Sequence, residues 1–234
     1  MSGVRETSAN GVHESWRRLV HAVWCTRLPV DIGATLITVS SAHDEAPMPA
    51  LPRTLTTRRL TLRPATPEDA DATWPYRRLE SVSEWITASP PDLATYRTTF
   101  TEPDRLANSI IVEHDGQVIG DLMLRIEDAW AQAEVRAQAH RKQAELGWVL
   151  DPAHTGQGFA TEAVEALLEE CFTNLGIRRV IANCFLANTA SWRLMERLGM
   201  RREQHAVRDS LHRSGQWLDG LTYAILADEW HRPA

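Results

Sequence analysis

The sequence predicts an α/β fold of the α+β kind, with strands and helices sharing one core. Three observations carry that expectation. The stretch Glu145–Leu168 passes from a short apolar strand through a glycine turn into an amphipathic helix. Ile177–Gly199 repeats the strand-then-helix pattern. Two glycine-bearing turns, Asp115-Gly116 and Ser214-Gly215, each divide a pair of strand-like runs, as β-hairpin turns do.

Taken in order, Leu60–Pro64 (LTLRP) reads as the first strand. It leads into Thr66-Pro67-Glu68-Asp69, where a capping hydroxyl, a proline at the first helical position and acidic residues start a helix. Asn108–Ile126 reads as a hairpin about Asp115-Gly116. Ala129–Lys142 falls between two expected strands and reads as an insertion at a hairpin tip, long enough to reach a substrate opening. Leu146–Leu150 is the next strand, and Asp151-Pro152 opens its turn. Ala160, Ala163, Val164, Leu167, Leu168 and Cys171 then keep the i, i+3, i+4 rhythm of one buried helical face. Ile177–Phe185, rich in β-branched residues, reads as a strand. In Leu186–Gly199, Thr189 is the expected N-cap, Trp192, Met195 and Leu198 share a face, and Gly199 stops the helix. The closing segment, Met200–Trp230, reads as a hairpin split by Ser214-Gly215.

Chemistry concentrates at Gly156 and Gly158. A strand that ends in a glycine turn and feeds a helix leaves the first helical N–H groups without intrahelical partners. With the helix dipole behind them, those donors are placed to hold a phosphate or pyrophosphate. Glycine at both positions allows close backbone approach and positive φ. Alone, the pair is also an ordinary strand–turn–helix connection. Its weight comes from the order of the signals downstream.

Thr155-Gly156-Gln157-Gly158-Phe159-Ala160 resembles the Gln/Arg-x-x-Gly-x-Gly/Ala loop that holds the acyl-CoA pyrophosphate in the GNAT superfamily of N-acetyltransferases. Thr155 stands where Gln or Arg is usual. Asn188 and Ser191 resemble the superfamily's Asn-x-x-Ser helix. The spacing Trp217, Asp219, Tyr223–Leu226, Glu229-Trp230 is similar to the RimJ/RimL branch, which includes enzymes acetylating the N-terminal amine of ribosomal proteins. The likeness runs from about Pro52 to Trp230.

The resemblance implies the GNAT fold, a mixed, mostly antiparallel central sheet flanked by helices, over residues 51–234, with an N-terminal extension over residues 1–50. It implies acetyl-CoA as co-substrate and no metal. The cofactor would be held by the backbone from Thr155 through Gly156, Gln157, Gly158, Phe159, Ala160 and Thr161. Val149 and Leu150 would offer backbone groups to the pantetheine arm, which the amide of Asn188 would also contact. Ser191 would lie near the thioester sulfur. An ammonium has no lone pair with which to attack, and a carboxylate within hydrogen-bond reach, directly or through water, can remove its proton. Glu145, at the head of the strand, resembles the base proposed in this branch, with Glu84 and Glu113 behind it. Backbone N–H groups near Leu146–Val149 would polarise the thioester oxygen. Many members carry a tyrosine seven residues after the asparagine; here that position is Met195, which leaves Ser191 as the local donor to the departing thiolate. Read without the resemblance, Asn188 is a helix cap, Ser191 a solvated hydroxyl and Glu145 a strand-edge carboxylate.

Composition narrows the classes. A chain of 234 residues supports one well-buried core with an appendage. The net charge of −6 argues against general affinity for nucleic-acid phosphate and is compatible with a cationic, amine-bearing acceptor. The three cysteines (Cys25, Cys171, Cys184) lack metal-ligand spacing, and the nine histidines form no His-x-x-x-His pair. Cys171 and Cys184 sit in apolar patterns as small core residues. An odd cysteine count suits a reducing, cytoplasmic compartment.

Arg27, Pro29 and Asp31 interrupt the early apolar residues well short of the roughly 18 that a membrane span needs. Residues Ser40–Leu51 read as a linker, with Met48 just before the family-like start. The first reading is therefore an acetyl-CoA-dependent N-acetyltransferase acting on a protein N-terminus or small amine, with a homodimer left open. The alternative is a catalytically weak acyl-CoA-binding sensor or scaffold. A nucleotide-binding reading fails, because neither a Gly-Lys-Ser/Thr tail nor Gly-x-Gly-x-x-Gly is present at the loop.

Overall fold

Strand pairing fixes where the groove lies. In the computed structural model, which describes residues 49–231, eight strands form one sheet in the order β1-β2-β3-β4-β5-β6-β8-β7. The strands are β1 Leu55–Thr56, β2 Leu60–Pro64, β3 Ser109–His114, β4 Gln117–Glu127, β5 Gln143–Leu150, β6 Arg179–Phe185, β7 Arg201–Leu211 and β8 Trp217–Leu226. Every pairing is antiparallel except β5 with β6, so the sheet is mixed and mostly antiparallel as expected. The helices are α1 Asp69–Arg77, α2 Glu80–Ser83, α3 Leu93–Phe100, α4 Pro103–Ala107, α5 Arg136–Ala139, α6 Phe159–Thr173 and α7 Thr189–Arg197. The extension expected over residues 1–50 lies, up to Met48, outside the described residues. Ala50 and Leu51 are already buried in the core.

Both hairpins form where their turn residues predict. Asp115 and Gly116 both take positive φ, the pairing a two-residue turn needs to match strand twist. The hairpin at Ser214-Gly215 joins β7 to β8, and Gly215 also has positive φ. Here β8, not β7, lies against β6, which leaves β7 as the edge.

Two apolar layers cover the sheet. On one face, α6 buries Phe159, Ala163, Val164, Leu167, Leu168 and Cys171 against Ala144 and Leu146 of β5 and Val180 and Ala182 of β6. The periodicity in the sequence marks that helical face, and the register of β5 supplies its complement. On the other face a smaller cluster joins Ala70, Tyr96, Phe100 and Ile111. A polar group is sealed in nearby: Asp121 of β4 accepts from the Tyr76 hydroxyl at 2.8 Å and from Arg77 Nε at 2.9 Å. Burial pushes the Tyr76 hydroxyl well above its usual pKa, and the neighbouring carboxylate adds to the rise.

Two helix starts differ from the sequence reading. The first helix begins at Asp69, after a turn in which Asp69 accepts from the Thr66 N–H at 2.7 Å. The link has the reciprocal half of a capping box, but no side chain caps the helix itself. Asn188, not Thr189, caps α7, with Oδ1 accepting from Ser191 N at 3.3 Å. Thr189 is the first helical residue. Asparagine is the stronger cap because its carbonyl reaches the N3 donor without a β-branch restricting χ1. Among the described residues, no helix is long and apolar enough to cross a membrane.

Candidate active site

β4 pairs with β5 along the whole of Gln143–Leu150, whereas β6 pairs with β5 only over Gln143–Glu145. Beyond Glu145 the two parallel strands part. The edge of β5 from Leu146 to Leu150 that faced β6 is left without a strand partner, and Val149 and Leu150 lie on it. Unpaired backbone in such a cleft needs an occupant or water.

The end of β5 leads directly into the glycine turn. Asp151 caps a short 3-10 turn at Pro152–His154 by accepting from Ala153 N at 3.0 Å. Thr155 then donates its hydroxyl to the Pro152 carbonyl at 2.9 Å, so its side chain is spent inside the turn. Gly156 and Gly158 have φ of 75° and 81°, a region that side-chain-bearing residues rarely adopt. Gly158 is the N-cap of α6. The first helical bond runs from Glu162 N to the Gly158 carbonyl, so the N–H groups of Phe159, Ala160 and Thr161 lack intrahelical acceptors. This 15-residue helix therefore presents donors and dipole to an anion. Phe159 contributes backbone only, because its ring is buried in the core at 3% exposure.

The remaining expected residues fall into two groups. Asn188 and Ser191 start α7, at the end of the segment that leaves β6. With Oδ1 used as the cap, the Asn188 amide nitrogen keeps its donors. Met195, at 1% exposure, is a core residue and can offer no proton to the cleft. Glu145 sits at the last β5–β6 pair, where the strands begin to part. One of its oxygens takes Arg125 of β4, and the other takes the Asn183 amide of β6 at 3.0 Å. Thr222 of β8 donates to Asn183 Oδ1 at 2.7 Å and so fixes that amide. Each Glu145 oxygen retains one further lone pair. Glu113, by contrast, is tied to Arg63 at 2.8 Å on β3, which pairs with β2 and β4 and not with the strands of the cleft.

A second opening, of about 590 Å³, lies between α2 and the β7–β8 tip. Glu80, Ser83 and Glu84 line one side, and His212, Arg213 and Ser214 the other. Sequence reasoning missed His212 and Arg213, whose partners are backbone carbonyls far along the chain. It also missed Arg59 at the glycine turn, and Gly120. A Cβ at Gly120 would stand 2.5 Å from the Val149 carbonyl oxygen, so only glycine lets β4 and β5 approach there. Both free cysteines among the described residues are held as thiols by their surroundings. Burial pushes the Cys171 thiol to about 12 and the Cys184 thiol to about 11. Among the described residues, no group of three or more histidine, cysteine, aspartate or glutamate side chains is placed to hold a metal ion.

The sheet opens between two parallel strands, and the strand that borders the opening leads into a helix start with free N–H donors. The chain belongs to the GNAT acetyltransferase family: residues 59–201 match the model described as an acetyltransferase (GNAT) domain. It is 31% identical over 178 residues to the uncharacterized N-acetyltransferase YnaD of Bacillus subtilis, a match covering 76% of this chain and 99% of the relative. Its fold is similar to that of a GNAT-family acetyltransferase from Bacillus anthracis, at a TM-score of 0.64 and 27% identity, over 75% of this chain and 99% of the other. It is also similar in fold to Mycobacterium smegmatis RimJ, solved in complex with a CoA disulfide. That likeness has a TM-score of 0.64 and 24% identity, over 78% of this chain and 91% of the other. The protein is an acetyltransferase by family.

Proposed function

We propose that the chain transfers the acetyl group of acetyl-CoA to a primary amine, on a protein N-terminus or a small molecule, by direct attack on the thioester. The observation that carries this reading is the parting of β5 from β6 immediately after Glu145, on the strand whose end leads into the glycine turn. The diphosphate would lie on the N–H groups at Gly156–Thr161. The pantetheine arm would run along the unpaired β5 edge at Val149 and Leu150, with Asn188 donating its amide to the arm.

In the transfer step, the N–C bond forms as the C–S bond breaks. The ammonium first gives a proton to Glu145, directly or through water; after attack the nitrogen loses its second proton to solvent, and the departing thiolate, hydrogen-bonded by the Ser191 hydroxyl, takes a proton from solvent. Arg125 and Asn183 hold the Glu145 carboxylate in one orientation, which supports a positioned base. The cleft lined by Glu80, Glu84, His212 and Arg213 would admit the amine. With Met195 in the core and the Ser191 hydroxyl a weak acid, most of the acceleration would come from holding two reactants together.

Glu145→Gln keeps the shape but cannot accept the ammonium proton. Its kcat should fall by about 10²–10⁴-fold with CoA affinity unchanged, and the loss should shrink as pH rises and the amine arrives deprotonated. Calorimetry with CoA and a pH–rate profile, using an amine found by screening a panel that includes peptide N-termini, measure both. A variant with wild-type kcat/KM near neutral pH would remove Glu145 from the role. CoA binding by the wild type with no turnover on any amine would favour the sensor or scaffold reading.

A further inference from the structure

We propose that Arg59 is a positioning residue of the diphosphate site, holding the glycine turn and the start of α6 in the shape that presents their N–H donors. The inference rests on the reading of that turn as the acetyl-CoA diphosphate site. Arg59 lies between β1 and β2, far from the turn in sequence, and four contacts join it to the turn and its surroundings. Its Nη1 donates to the Gln157 carbonyl at 3.0 Å, a group inside the turn. Its Nε donates to Glu162 Oε2 at 2.7 Å, and its own backbone N–H donates to Glu162 Oε1 at 2.9 Å. The guanidinium stacks over the Phe159 ring, 4.4 Å from its centre. Its Nη2 lies 3.5 Å from where a Cβ on Gly158 would stand.

These contacts clamp consecutive parts of one short segment. Gln157 lies between the two left-handed glycines, Gly158 caps the helix, Phe159 is the first helical residue and Glu162 closes the first turn. The clamp is itself anchored. Thr57 donates to Glu162 Oε1 at 2.6 Å, and His114, whose ring packs 4.6 Å from that of Phe159, is hydrogen-bonded through Nδ1 to the Arg59 carbonyl at 3.0 Å. Arg59 also neutralises Glu162, which would otherwise set a carboxylate beside a bound diphosphate. The turn's own first residue cannot do this work, because the Thr155 hydroxyl is committed to Pro152. A segment with two positive-φ glycines is conformationally loose by itself. Tethering it to the sheet lowers the ordering cost of binding.

Arg59→Ala alone would leave Glu162 unpaired, so the decisive variant is Arg59→Ala/Glu162→Ala, compared with Arg59→Lys. Calorimetry with CoA and with pantetheine, which lacks the diphosphate, reads the effect. The double variant should melt close to the wild type, bind CoA at least about tenfold more weakly, and bind pantetheine unchanged. Arg59→Lys should shift the same way, because one ammonium cannot span both Glu162 and Gln157; it decides the matter if the double variant does not fold. Wild-type CoA affinity in these variants would show that Arg59 merely balances Glu162. An equal loss for CoA and pantetheine would mean general damage. Either result overturns the proposal. A wild-type protein that binds neither ligand would instead overturn the acetyl-CoA reading.

Discussion

At the scale of single residues, charge is placed where burial makes it consequential. Asp69, 5% exposed, accepts two hydrogen bonds from Arg63 at 2.7 Å each and one from the Thr66 N–H. Desolvation pushes its carboxyl up, but the bonds from Arg63 and Thr66 outweigh it and hold the pKa below the ordinary value. A carboxyl depressed in the folded state stabilises the fold above the unfolded-state pKa, near 4. That contribution is lost as pH falls through the folded value. Asp69→Asn should therefore cost roughly 2–3 kcal/mol near pH 7. The gap between variant and wild type should close below about pH 4. Urea melts of both proteins across that range give the answer, and a gap independent of pH would show that packing, not charge, is what Asp69 supplies.

Among elements, the junction of α2 with the β7–β8 tip is tied by hydrogen bonds between residues far apart in sequence. Ser214 N–H donates to His212 Nδ1 at 3.2 Å, which leaves Nε2–H to donate to the Glu84 carbonyl at 2.9 Å. Arg213 donates to the Ile86 carbonyl at 2.7 Å. Trp85, between those two carbonyls, packs on both His212 and Phe185, the last residue of β6. Two side chains from the tip thus hold the backbone of the segment after α2 and tie it to a strand that borders the groove. Removing them in His212→Ala/Arg213→Ala should raise KM for the acceptor amine about tenfold, as two hydrogen bonds that hold this segment are lost. CoA affinity should stay as it was. Steady-state kinetics set against CoA calorimetry separates the two, and a parallel weakening of both would place the tip's role in general stability.

For the molecule as a whole, the boundary of the core matters more than the length of the chain. Ala50 and Leu51 are buried at 6% and 1% exposure, and Ala50 N–H donates to the Ala107 carbonyl at 2.8 Å. Protein begun at Met48 keeps both residues and should fold and bind CoA as the full chain does. Protein begun at Arg53 removes them and should lose about 2–5 kcal/mol, the usual cost of emptying a buried leucine site. Thermal melts and CoA binding of the two truncations test this. Lost CoA binding in the Met48 form would show that the preceding residues shape the site.

How much of this was legible in the sequence follows from the reach of each interaction. The positive-φ turns at Asp115-Gly116, Gly156, Gly158, Gly199 and Gly215 were readable, because backbone sterics act within a residue or two. So was the buried face of α6, since helical periodicity is a local pattern. The family loop was readable for the same reason, being six consecutive residues. Even locally the sequence offered both Asn188 and Thr189 as the cap of α7, and the structure takes Asn188, whose side chain reaches the N3 donor. What only the tertiary structure decided are contacts between residues far apart in sequence: Arg59 with Glu162 at 103 positions, His212 with Glu84 at 128, and Glu145 held between Arg125 and Asn183. So too the parting of β5 from β6 and the placing of β8 inside β7. Such pairings depend on which strands become neighbours, and a strand's own side chains encode its faces but not its partner.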